Sequence, residues 1–193
     1  MVKNMKKENK VPLTKQIAIS AILLAICIAS QFLKSLSVYI TGPIVNLCLI
    51  LTVMMAGLMW GVILAVITPV TAFIIAASPV MNAVPGIIPL IMLGNVVIVV
   101  MTNFFVKPWV TGERSLINVR SVIGAIGSSA AKGIVMGLTI ALWLLPAFIP
   151  EASPLRGKLS IFQMMFSVTQ FLTALIGFVY FFIVWIPLRK GIE

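Results

Sequence analysis

The chain has 193 residues, 61% hydrophobic and only 9% charged, with a formal net charge of +10. Soluble domains carry about 25% charged residues, so the composition excludes an ordinary soluble fold and marks one integral membrane domain. There is no His and no Asp, and the acids Glu8, Glu113, Glu151 and Glu193 all fall in predicted tails or loops. Carriers driven by protons or sodium commonly use intramembrane carboxylates or histidines, as do hydrolytic and His/Asp metal sites. No catalytic set, metal site or enzyme activity is therefore expected.

A bilayer core takes about 20 apolar helical residues to span, and the predicted fold class is an all-α integral membrane bundle of six helices. Residues 1–15 form a basic tail. The first helix covers Gln16–Leu33; its basic-then-apolar start is like a secretory signal, but further spans come after it, so a retained helix is expected. Ala21, Ala25 and Ala29 fall at i, i+4 and i+8 on one face, with Ala18 and Ser30 extending the stripe. Such a stripe lets another helix approach closely, either one of the protein's own or one from a separate subunit. Val38–Pro43 is predicted as a loop, Ile44–Met59 as the second helix, Gly57–Gly61 as a tight turn and Val62–Ala77 as the third helix. Cys27 and Cys48, in apolar runs, read as small packing residues.

After a Pro/Gly-containing loop at Ala77–Gly86, the fourth helix covers Ile87–Val106. The fifth covers Ser121–Leu145, with Ala130, Gly133 and Gly137 as a close-packing strip. A loop at Pro146–Lys158 leads to the sixth, Ile161–Pro187, so the membrane domain spans 16–188 and a short tail 189–193. With six spans, one side collects Lys3, Lys6, Lys7, Lys10, Lys15, Lys107, Arg114, Arg120, Arg189 and Lys190. The other side collects Lys34, Arg156 and Lys158. Basic residues stay on the cytoplasmic side, so both termini are expected there. The positive charge reads as topology and contact with anionic lipid. It is dispersed and not interleaved with aromatics, which argues against nucleic acid.

Within "GSSAAKGIVMG", Gly127–Gly137, stands Lys132. The stretch is no phosphate loop: it lacks the second Gly before the lysine, and Gly133 stands where Ser or Thr is needed. Lys132 lies near the middle of the fifth helix, roughly 18 Å from either interface at 1.5 Å per residue. That is beyond snorkelling reach. A charge there costs about 2.5–3.5 kcal/mol on insertion scales. Three offsets are open: a neutral amine, bonds to helix carbonyls and amides, or a wet cavity that receives an anionic ligand. Ser129 and Trp143 fall at helical spacing from Lys132, Asn95 lies at mid-depth on the fourth helix, and Gln163 and Gln170 share a face of the sixth. Their convergence on a substrate cavity is expected: amides to hydrogen-bond, an indole to stack, one cation for an anion. Interhelical hydrogen bonding is the plainer role for each amide.

The size, the six-helix layout, the basic amino end leading into Ala21, Ala25 and Ala29, the "TGPIVN" start of helix 2 (Thr41–Asn46) and the Pro-rich start of helix 4 occur together. In these the chain resembles the substrate-binding S components of energy-coupling factor transporters, importers of vitamins and related micronutrients in prokaryotic cytoplasmic membranes. The resemblance implies that substrate binds from outside under a lid partly made by the loop after helix 1. It implies that the alanine face docks on a transmembrane T component, and that two ATPase subunits supply the energy, so this chain needs no cofactor. Asn46, at the end of "TGPIVN", is a further candidate substrate residue. The alternative is a stand-alone secondary carrier or channel.

Overall fold

The computed structural model describes residues 11–33, 37–111 and 117–190. Lys3, Lys6, Lys7, Lys10, Lys34 and Arg114, on which part of the charge asymmetry rests, lie outside the described residues, as do residues 191–193. Among the described residues every regular element is helical. Six helical stretches are long and apolar enough to cross a membrane.

Helix α1 is Leu13–Gln31, α2 is Val38–Met55 and α3 is Leu58–Ala76. A five-residue helix, α4 (Pro79–Ala83), lies in the connection to α5, Ile87–Val110. Helix α6 covers Val119–Phe148. The last span is broken into α7 (Leu159–Met165) and α8 (Val168–Lys190). Helix α2 packs against α1, α3 and α8; α3 packs on α5, and α6 sits between α5 and α8. Of the six spans α1 is the least buried and α2 the most.

Several boundaries depart from expectation. The stretch Val38–Pro43 is the first part of α2, not a loop: the Ser37 hydroxyl caps the Tyr39 N–H at 3.1 Å. Pro43 falls barely a turn into the helix, where its missing N–H removes one bond. Gly42 is there for packing, since a Cβ would fall 2.8 Å from Thr173 Cγ2 on α8. The α2–α3 turn is shorter than Gly57–Gly61. Only Gly57 takes a left-handed conformation, φ +99°, which suits glycine, and helix resumes at Leu58. Gly61 is a contact residue, its Cβ position 2.6 Å from Val53 Cγ2.

Two apolar cores form. One holds Leu49, Val53, Leu64, Ile98, Ala125 and Phe178. The other holds Met81, Ile87, Met136, Ile140, Leu144 and Phe166. Along α5 the order is Ile87, Asn95, Ile98; along α6 it is Ala125, Lys132, Met136; along the last span it is Phe166, Gln170, Ala174. The polar residues thus occupy one level between the two cores. Cys27 and Cys48 are free thiols buried in the first core.

Candidate substrate cavity

Helix α6 starts at a capping box. The Asn118 side chain accepts from the Ser121 N–H at 2.8 Å, and the Ser121 hydroxyl lies 3.2 Å from the Asn118 N–H. Three turns on, Lys132 is 3% exposed. Helix α5 approaches closely because of Gly94, where a Cβ would fall 2.5 Å from Met136 Cγ and 3.8 Å from Lys132 Cγ. The ammonium then reaches Asn95 Oδ1 at 2.8 Å and Asn46 Oδ1 at 2.7 Å. Both are short hydrogen bonds. Asn46 is held at this level by α8, where Gly177 leaves room: a Cβ there would lie 2.8 Å from Asn46 Cβ.

Pro69 explains how Asn95 is oriented. It has no N–H, so the Ala65 carbonyl one turn back gains no helical partner. The Asn95 Nδ2 faces that carbonyl and the Thr68 hydroxyl, each at 3.5 Å. These bonds are long and weak, but they turn the amide so that Oδ1 faces Lys132. The Thr68 carbonyl in turn accepts from Gln31 Nε2 at 3.1 Å. One polar chain therefore runs from Gln31 through Thr68 and Asn95 to Lys132 and Asn46.

This chain walls a cavity of about 150 Å³ that is also lined by Thr41, Pro69, Met81, Phe166 and Gln170. Gln170 donates to the Met165 carbonyl at 3.1 Å, across the break between α7 and α8. The cavity lies towards the end of the bundle that carries the α1–α2, α3–α5 and α6–α7 connections. The last of these is tied down by Arg156, which donates to the Pro146 and Ile149 carbonyls at 2.9 and 3.0 Å. Glu151, the one acid among the described residues, is exposed in that connection. No described carboxylate neutralises Lys132. In the protonated amine two of three N–H donors are used and the third has no acceptor among the described residues. The described His, Cys, Asp and Glu form no metal-ligating group.

Four of the seven candidate substrate residues, Lys132, Asn95, Asn46 and Gln170, thus share one cavity, and three do not line it. Ser129 is buried and donates back to the Ala125 carbonyl at 2.9 Å. Trp143 is 60% exposed on the outside of the bundle, edge-on to Phe148. On an unbroken α-helix it would share the Lys132 face. Instead Gly137–Leu144 is π-helical, and each extra residue in a turn rotates the downstream part of the helix by about 100° at 3.6 residues per turn. Gln163 donates to the Ala141 carbonyl at 2.9 Å within that π segment and lines an outer groove with Gly133, Gly137 and Phe171. The break at Phe166–Ser167 separates its face from that of Gln170. The expected close packing by Gly133 and Gly137 is against the last span, with Cβ positions 2.9 Å from Phe171 Cβ and 3.2 Å from Ser167 Cβ.

Gln31 and Thr68 were not singled out in the sequence. The available signal was a Gln closing an apolar span ("IASQF") and a Thr before a mid-helix proline ("ITPVT"). On α1, Ala18, Ala21, Ala25 and Ala29 are all exposed, as are Ile22 and Ile26. Of the two roles open to the alanine stripe, packing within the protein is not what the structure shows. Ser30 does not belong to the stripe; it is buried and donates to the Cys27 carbonyl at 2.7 Å. Comparisons with protein-family models, curated proteins and solved structures found no match to this chain.

Proposed function

We propose that the protein is the membrane-embedded substrate-capture subunit of an ATP-driven importer for a vitamin or related small micronutrient, of the energy-coupling factor type. It binds substrate from outside and docks through α1 on a transmembrane T component powered by two ATPase subunits. The observation that carries the proposal is the cavity built around Lys132, Asn46 and Asn95, with a buried lysine that pairs with no described acid. The topology argued from Lys and Arg counts turns the cavity end of the bundle outward and both termini to the cytoplasm. The exposed alanine stripe of α1 supports the docking role, because small residues facing lipid allow close approach of another helix. The absence from the sequence of intramembrane acids and of a phosphate loop fits energy supplied by partners.

Co-purification tests it. The native chain is expected to bring down a membrane partner and ATPases, and Ala25→Trp to lose them while still folding. Transport by the protein alone in ATP-free liposomes would instead favour a stand-alone carrier or channel.

A further inference from the structure

The two ends of the polar chain across the cavity are unequal. At one end are the Asn46 amide N–H groups and, on the protonated amine, the third N–H of Lys132, none of which is donated to a described residue. At the other end is Gln31, 2% exposed, whose Nε2 is committed to Thr68 and whose Oε1 has no hydrogen-bond partner among the described residues. A buried acceptor left unpaired is costly; this one has under 1 Å² of accessible surface but belongs to a residue that lines the cavity, so a ligand reaches it when the Gln31 side chain turns. The rest of the lining includes Pro69, Met81, Met165, Ile91 and Phe166, an apolar surface for a flat body. Size narrows the class further. The cavity is about 150 Å³, the size of an engineered cavity that takes up benzene, whereas drug-sized sites run to about 300–1,000 Å³.

We infer that the substrate is a one-ring molecule carrying an anionic group such as a carboxylate for Lys132 and Asn46, and an N–H or O–H donor for Gln31 Oε1. This rests on the capture reading and gives its substrate class. A hydroxyl or ring N–H is selected because the site has an acceptor to lose: an analogue without the donor leaves Gln31 unpaired, and such sites discriminate strongly. A two-ring anion would have to extend past the cavity mouth, and a cation meets Lys132.

The test is calorimetry on the full chain in nanodiscs with matched probes: the three hydroxybenzoate isomers, benzoate, phenol, benzylamine and 6-hydroxy-2-naphthoate. At least one hydroxybenzoate is expected to bind tenfold or more tightly than benzoate or phenol. Gln31→Leu should bring that isomer to the level of benzoate, whereas Gln31→Glu, which keeps an acceptor, should retain the preference. Lys132→Met should reduce both carboxylates at least tenfold. Equal or tighter binding of benzylamine or the naphthoate overturns the inference and leaves the capture reading standing. So does a hydroxybenzoate preference that survives Gln31→Leu. Failure of every probe to bind overturns it too, and co-purification with the ATPase module then decides the capture reading separately.

Discussion

Replacing Lys132 by Met together with Asn95 by Leu measures whether the central clamp is an energetic unit. Lys132 Nζ donates to Asn95 Oδ1 at 2.8 Å and to Asn46 Oδ1 at 2.7 Å. Hydrogen bonds to charged groups contribute about 1.5–3 kcal/mol, and a buried group left unpaired costs about 1–3 kcal/mol. Neutral interhelical pairs in membranes average about 0.6 kcal/mol. Asn95→Leu takes one of two acceptors from a buried ammonium and strips the Ala65 carbonyl of its one side-chain donor, so a loss of about 2 kcal/mol is expected. Lys132→Met removes a costly charge but orphans two amide oxygens, and the balance is a loss of about 1–2 kcal/mol. In the double variant Met faces Leu and that contact has nothing left to satisfy. Its loss should fall short of the sum of the singles by about 1–2 kcal/mol. The assay is reversible unfolding by SDS in mixed micelles, followed by circular dichroism. Thr102→Val is the control partner, because the Thr102 hydroxyl bonds only locally, to the Ile98 carbonyl at 2.7 Å. Additivity of Lys132→Met and Asn95→Leu within about 0.5 kcal/mol, the behaviour of independent sites, would refute the clamp.

Gly124→Ala should destabilise by about 3 kcal/mol in the same titration, because its Cβ would strike the Phe105 carbonyl, a backbone atom that cannot swing aside. Asn118→Ala should cost about 1 kcal/mol through loss of the α6 cap. Gly177→Ala presses on Asn46 Cβ and the Pro43 carbonyl; it should weaken ligand binding more than Gly127→Ala, whose Cβ meets nothing within 4 Å. Ala25→Trp, on an exposed face, should leave the unfolding midpoint of the isolated chain within about 0.5 kcal/mol of native. A larger loss would mean that the face packs within the protein.

The legible part of the site was the part that depends on one helix at a time. Lys132 could be placed at mid-depth from span length alone, and Asn95 likewise. The relation between residues on different turns was less legible. Trp143 and Lys132 share a face only if the helix between them is regular, and the π segment removes that condition. Gln163 and Gln170 share one only without the break at Phe166–Ser167. Nothing in hydropathy distinguishes those interruptions from ordinary apolar helix.

Amino-acid content and its order along the chain determined that this is a helical protein with six stretches long and apolar enough to span a membrane, that the lysine at the middle of the fifth has no acid within those stretches, and that a stripe of alanines marks the first helix. These rest on hydropathy, span length and residue counts, which are properties of the chain itself. The tertiary structure decided which polar groups meet. Gly94 and Gly177 let α5, α6, α2 and α8 come close enough for Lys132 to bridge two asparagines. Pro69 left a carbonyl that orients one of them, and Gln31 was carried to the far wall with an acceptor unpaired. Those outcomes depend on interhelical distance and rotation about each helix axis. Both are set by packing between segments far apart in the chain, where no local pattern records them.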